Sequence, residues 1–398
     1  MLNWSIKKTI YLIVIVLGIA IAIFFGFFYK ATLVINTTPA EATIEVAGSQ
    51  HKSQEKIKLK PGSYQVKITG PNYIGYEKDI SLKIGQNKTL NIDLRLKPEA
   101  IKVVPGKIAF LTSGENDKSL FYLANGGKTL YRLDKSDQSI PSIVAITPDI
   151  FSDLTNVIFS PNRLLAVLKK GTNNYLYDFN RYDLLHQEIN DWGTGFGETI
   201  WSPDGGKIVY YFAPDNGEIT LIRSNRDKTD EERIYNFKDT PIRNPHLRYA
   251  LDSKKILVFT DKVYLFDIYS KSLSEVKEAG KIIYAGFTPD SQNIIIENTE
   301  GLTIMDFEGK NQTKLDVNTQ LNKLVWLDNT TFIYAQSTLG ASDTFYKYDL
   351  KSKTKVEYFY SSQDQIIAKD LVLSNGGNKV FFNNGNYLYS VNLVEKDY

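Results

Sequence analysis

Three histidines, His51, His186 and His246, stand in separate segments of a 398-residue chain that contains no cysteine. A zinc site needs three or four convergent ligands, and with no thiolate and no histidine pair at helical or hairpin spacing the remaining donors would all be carboxylates. No metal ligand is nominated. No Gly-x-Ser-x-Gly elbow occurs, and Gly126-Gly127-Lys128-Thr129 fails as a phosphate loop because Tyr122 stands where the leading glycine is required. That segment reads as a hairpin turn. Asp134-Lys135-Ser136-Asp137 opens like a calcium loop, but the central glycine is missing and the twelfth position is Ala145. It too reads as a turn. The mixed-sign stretch Arg226-Asp227-Lys228-Thr229-Asp230-Glu231-Glu232-Arg233 reads as a solvated loop between strands, and a glycosidase-like carboxylate pair is not identifiable among 45 acidic residues. The sequence nominates no catalytic residue, no metal ligand and no cofactor.

The elements that would position any such residues begin with an apolar run. From Ile10 to Phe28 no residue is charged, and apolar side chains fall on every face of a helix drawn through it. At about 1.5 Å per residue this nearly matches a hydrocarbon core of about 30 Å. Residues 1–30 are therefore expected to be a short cytoplasmic tail and an uncleaved transmembrane signal anchor, since Phe28-Tyr29-Lys30-Ala31 offers no small-x-small cleavage site. Lys7 and Lys8 precede the run, which by the positive-inside rule keeps the N-terminus cytoplasmic and exports the rest. A net charge of +2 with 23% charged residues predicts no nucleic-acid partner, and 25 Tyr with 21 Phe favour strands over helices. The fold class expected is all-β behind one N-terminal transmembrane helix.

Residues 31–98 show period-two runs bounded by Pro and Gly, the pattern of short half-buried strands. Thr43-Ile44-Glu45-Val46 is followed by Gly48, Leu59-Lys60-Pro61-Gly62-Ser63-Tyr64 makes a turn, and Gly85-Gln86-Asn87 separates the last two strands. At these residues the segment resembles the PEGA domain family, small β-sandwich modules of cell-envelope proteins. Two departures stand out. Glu41 occupies a position where that family usually has glycine, and Ser49 to Lys56 lacks its Gly-x-Thr-Pro turn. The resemblance implies a spacer or interaction module.

Residues 99–398 carry a diverged repeat. Trp201-Ser202-Pro203-Asp204-Gly205 is its clearest copy, with relatives starting at Phe159, Tyr249, Phe287, Trp326 and Leu373 and a truncated first copy over Val104 to Phe110. Each copy reads as an aromatic or leucine ending one strand, a type I turn, and a β-branched or aromatic run. The copies resemble the propeller repeats of TolB-like proteins and of the propeller that precedes the hydrolase domain in prolyl oligopeptidase relatives. That resemblance implies a β-propeller, counted as seven-bladed, with no hydrolase domain following at Tyr398. Only a short C-terminal remnant follows the last predicted strand, so Ala100-Ile101-Lys102-Val103-Val104 is expected to complete the final blade.

This order of elements predicts a membrane-anchored, extracytoplasmic binding or scaffold protein of the cell envelope whose propeller loops meet an envelope protein or a cell-wall polymer. The alternative is an envelope hydrolase of glycans or peptides with its site in the propeller funnel. Protease added to intact spheroplasts is expected to digest both β domains; protection until lysis would reverse the assigned topology.

Overall fold

The computed structural model describes residues 4–27, 29–108, 110–113, 119–124, 129–134, 143–145, 154–178, 190–215, 217–276, 281–374 and 376–395, and within the first helix the side chains of Lys8 to Ala20. That helix, α1 (Trp4–Phe27), carries the apolar run. Its large apolar side chains from Ile10 to Ile19 are all exposed. Among the described residues no helix is long and apolar enough to cross a membrane. The expected span is thus not shown.

The chain divides into two units. The first holds Met1–Pro98 together with Phe359–Ser361 and Val394–Tyr398. Its strands are β1 (Ala31–Thr38), β2 (Thr43–Val46), β3 (Ser49–His51), β4 (Lys56–Leu59), β5 (Gly62–Thr69), β6 (Tyr76–Leu82) and β7 (Asn87–Asp93). They form two sheets, ordered β4-β1-β7 and β3-β2-β5-β6. Burial alternates along β1, and Leu33 and Ile35 meet Ile44, Val66 and Ile68 in one core. Ala47 and Gly48, both at positive φ, make the two-residue turn into β3, a strand not foreseen in the Ser49–Lys56 stretch. The tyrosine of the Leu59–Tyr64 turn helps to hold that turn, since the Tyr64 hydroxyl donates to the Lys60 carbonyl at 2.9 Å.

The second unit, Glu99–Tyr358 with Ser362–Leu393, contains seven four-stranded sheets among its described residues. Their first strands are Phe110–Ser113, Leu154–Phe159, Phe196–Trp201, His246–Tyr249, Ile282–Phe287, Leu324–Trp326 and Lys369–Leu373. Sheets one to six are each continuous in sequence. The seventh takes its fourth strand from the start of the unit, β8 (Ile101–Pro105), which pairs antiparallel with Tyr387–Asn392. Apolar clusters join successive sheets, one of them bringing Val104, Val372, Phe381 and Leu388 of the seventh sheet against Leu111, Leu120 and Tyr122 of the first. Phe345 and Phe382 bridge the sixth and seventh at 5.2 Å. The arrangement is propeller-like, with its ends joined.

Every aromatic or leucine anchor from Phe159 to Leu373 is the last residue of a first strand. The next residue explains the turn. Ser202 Oγ accepts from Lys207 N–H at 2.9 Å and donates to the Lys207 carbonyl at 3.0 Å, while Asp204 Oδ1 accepts from Gly206 N–H at 3.0 Å. Thr288 and Asp290 repeat this across Asn293 and Gln292. Four residues after the anchor the backbone enters the left-handed region in five copies, at Arg163, Gly205, Ser253, Ser291 and Gly377. Only two of these are glycine, although that conformation favours it.

Two expectations are corrected. Val104 to Phe110 is not a first repeat copy: Val104 and Pro105 lie in β8 of the seventh sheet, and the first sheet begins at Phe110. The charged stretch from Arg226 is a loop only in part, since Glu232–Asn236 is the outer strand of the third sheet. Outer strands are short and exposed, so they carry no period-two apolar signal.

Deleting residues 99–104 is expected to strip the seventh sheet of its fourth strand and the buried Val104, and to lower the melting temperature of the second unit by about 5 °C or more. An unchanged melting curve would show that β8 contributes nothing to closure.

Candidate functional site

The first strands of the third, fourth and fifth sheets bring a charged cluster together. Arg248 Nη1 lies 3.0 Å from Glu198 Oε1, and Arg248 Nε donates to the Tyr284 hydroxyl at 3.0 Å. The guanidinium also faces the Tyr284 ring, 4.9 Å from its centroid. His246 Nδ1 stands 3.9 Å from the other oxygen of Glu198. From the second strand of the second sheet, Lys169 Nζ donates to the Gly197 carbonyl at 2.6 Å.

The cluster is partly enclosed, which sets its electrostatics. Burial lowers the pKa of Lys169 below the usual ammonium range, opposed by the charge of Glu198. Burial works the same way on Arg248, but the Tyr284 hydroxyl and Glu198 outweigh it and the pKa stands above its ordinary value. Lys169 and Arg248 thus place two cationic side chains about the one carboxylate of Glu198. An ion pair closed this tightly binds and orients; Glu198 is already engaged by a guanidinium and is poorly placed to give or take a proton.

Toward the C-terminal ends of other first strands lies a cavity of about 480 Å³. Leu111 to Ser113, Val325 to Leu327 and Leu371 to Ser374 line it, with Gly376 and Gly377. A Cβ on Gly377 would meet Leu327 Cδ2 at 2.9 Å, and its φ of +67° also favours glycine. Among the described residues the lining offers one indole and several hydroxyls and no charged side chain, a surface for a neutral ligand.

A second ion pair is structural. Lys323 and Asp343 are buried at 8% and 2% exposure and meet at 2.9 Å. Lys323 Nζ also donates to Ser337 Oγ at 2.7 Å, and Asp343 Oδ2 accepts the Ala368 N–H at 2.9 Å. These bonds tie the sixth sheet to the segment entering the seventh. Nearby in sequence, burial raises the pKa of Asp370, whose carboxylate accepts from Asn383 at 2.8 Å.

His51 sits in β3 at 3.1 Å from Glu55, His246 belongs to the cluster above, and His186 lies outside the described residues. Residues 126–128 and 135–137, read as turns from the sequence, lie outside them as well. Among the described residues no group of three or more His, Asp or Glu side chains is placed to hold a metal ion. Lys169, Glu198, Arg248 and Tyr284 escaped sequence reasoning because four different sheets supply them. The one local signal was a charge set inside short strands, as in Gly197-Glu198-Thr199 and Leu247-Arg248-Tyr249.

Residues 30–100 match the model of the PEGA domain. No curated protein matches the chain. Among solved structures, an oligogalacturonate lyase in complex with manganese is similar, with 12% sequence identity and a TM-score of 0.55 over 74% of this chain and 93% of that one. At that identity the likeness concerns the fold, which it supports as propeller-like.

Asp343→Ala should leave a buried ammonium without its counter-ion and cost about 3–5 kcal/mol of unfolding free energy. The double variant Lys323→Met/Asp343→Leu is expected to recover most of that loss. Denaturant titration checks both; equal destabilisation by the two variants would show that packing, not charge, sets the cost.

Proposed function

We propose that this chain is a membrane-anchored, extracytoplasmic binding or scaffold protein of the cell envelope, in which a PEGA domain and a seven-bladed propeller present surfaces to an envelope protein or a cell-wall polymer. The observation that carries the reading is α1. Its apolar side chains from Ile10 to Ile19 are exposed on every face, and exposing a continuous apolar cylinder to water is costly at about 25 cal/mol per Å². A bilayer removes that cost, and the uncharged sequence continues to Phe28. A PEGA domain follows directly.

Support for binding over hydrolysis comes from how the charged groups are used. Glu198 is held by Arg248, and Asp343 by Lys323, so each carboxylate already has its cation. The cavity beside Trp326, whose described lining carries hydroxyls and no charged side chain, is suited to contact.

The full chain is expected in the membrane fraction, resistant to high salt, and removal of residues 1–30 should release it by about tenfold or more into the soluble fraction. For the binding half, the full chain in liposomes is expected to cosediment with isolated wall polymer or to retain an envelope protein that loses affinity when exposed loop residues such as Leu251, Tyr269 and Leu339 become alanine. A soluble full-length chain would sink the anchor, and binding indifferent to every loop change would sink the propeller surface.

A further inference from the structure

Among the described residues, the ion cluster around Glu198 has one cation more than its carboxylate can match. Lys169 Nζ, on the second sheet, bonds the Gly197 carbonyl and senses the charge of Glu198, the next residue along. Arg248, on the fourth sheet, takes Glu198 Oε1 directly at 3.0 Å. Glu198 is thereby flanked from both sides, yet among the described residues no carboxylate lies within ion-pair distance of Lys169. A carbonyl satisfies one of its three N–H donors and none of its charge. Holding an unmatched ammonium in a partly enclosed place is unfavourable unless an anion joins it.

The site remains reachable. The side chains of Glu198, Arg248 and His246 are 24%, 31% and 56% exposed. His246 and Tyr284 both pack against Phe259, at 5.2 Å and 5.6 Å, so the charged groups are seated on an aromatic floor.

We propose that Lys169, Arg248 and His246 form a site for one carboxylate group of an anionic ligand, received beside Glu198. This rests on the reading that the propeller-like unit is a binding module. The unmatched charge of one favours a monoanion such as a carboxylate over a dianionic phosphate. Lys169 supplies the free charge. Most donors of Arg248 are already committed to Glu198, Tyr284 and the Leu247 carbonyl, so it acts mainly by fixing Glu198 and adding positive potential. Glu198 competes with the ligand, which keeps the site selective for a strong acceptor.

The test uses the full chain in detergent micelles, with D-glucuronate as probe and D-glucose, which has a hydroxymethyl group in place of the carboxylate, as control. Isothermal titration reads binding, and acetylation followed by mass spectrometry reads the reactivity of Lys169. Glucuronate is expected to bind and to slow Lys169 acetylation about fivefold or more, with glucose doing neither. Lys169→Met should weaken glucuronate binding about tenfold, as loss of a charge-assisted contact does, and Lys169→Arg should restore most of it. Glu198→Gln should strengthen binding about threefold or more by removing the competing carboxylate. A purely structural cluster gives the opposite sign for Glu198→Gln. Equal protection by glucose, unchanged affinity in Lys169→Met, or weaker binding in Glu198→Gln would overturn the proposal. Failure of glucuronate to bind the wild-type chain would overturn it also, while the membrane partition and loop dependence of the broader reading stand or fall by their own measurements.

Discussion

The second unit depends on the hydrogen bonds between β8 and Tyr387–Asn392. A run of sheets built from an open chain leaves an unpaired strand edge at its end unless the chain supplies a strand from its beginning. Here Leu388 pairs with Val104 and Tyr387 with Pro105. The pairing seats Val104 in the cluster that joins the seventh sheet to the first. Around it the Lys102–Asp364 ion pair at 2.9 Å and the Tyr389 hydroxyl on Asp364 add directional contacts. Lys102 and Asp364 are both exposed, so the seal is mainly strand pairing and apolar packing.

With the ends joined, each sheet packs on two neighbours, and the same local rule can be used repeatedly. The rule is a large apolar residue at the end of the first strand, then a hydroxyl that clasps both sides of the hairpin, then a left-handed residue. The hydroxyl is missing at Ala250 and at Leu327; at Ala250 the neighbouring copy helps, since Ser291 Oγ accepts the Leu251 N–H at 2.8 Å. Interfaces gain direction from polar atoms too, as when Trp201 Nε1 donates to the Ile158 carbonyl of the preceding sheet at 3.0 Å. The buried Lys323–Asp343 pair does the same between the sixth and seventh. Charge inside this unit is therefore placed where sheets meet, and the Glu198 cluster shares that habit while remaining open to solvent.

The first unit follows a different logic. Its core comes from alternation alone, with Ile44 and Val46 of one sheet facing Leu33 and Ile35 of the other, and no disulfide is available to a chain without cysteine. The Glu41 and Ser49–Lys56 departures from the PEGA pattern fall at a surface pocket lined by Ala40 to Thr43 and Gln50 to Glu55. The sandwich is kept while one rim of it differs, because rim loops contribute little to the buried core.

By itself the sequence determined what depends on neighbours along the chain. Period-two runs, the Pro-Gly turn and the repeat anchors located the inner strands and their turns, because a strand face and a tight turn are settled within a few residues. It also indicated that β8 belongs to the final sheet, since the last copy was one strand short. Tertiary structure decided the rest. The outer strands, such as Thr313–Lys314, are too short and too exposed to carry a pattern and form only because an adjacent strand offers free backbone groups. The left-handed turn positions at Arg163, Ser253 and Ser291 were hidden because surrounding hydrogen bonds impose them on residues that do not prefer that conformation. Lys169, Glu198, Arg248 and Tyr284 become one cluster only when four sheets stand side by side. No spacing along the chain could announce them, because electrostatic pairing acts through space across segments that the sequence keeps more than a hundred residues apart, from Lys169 to Tyr284.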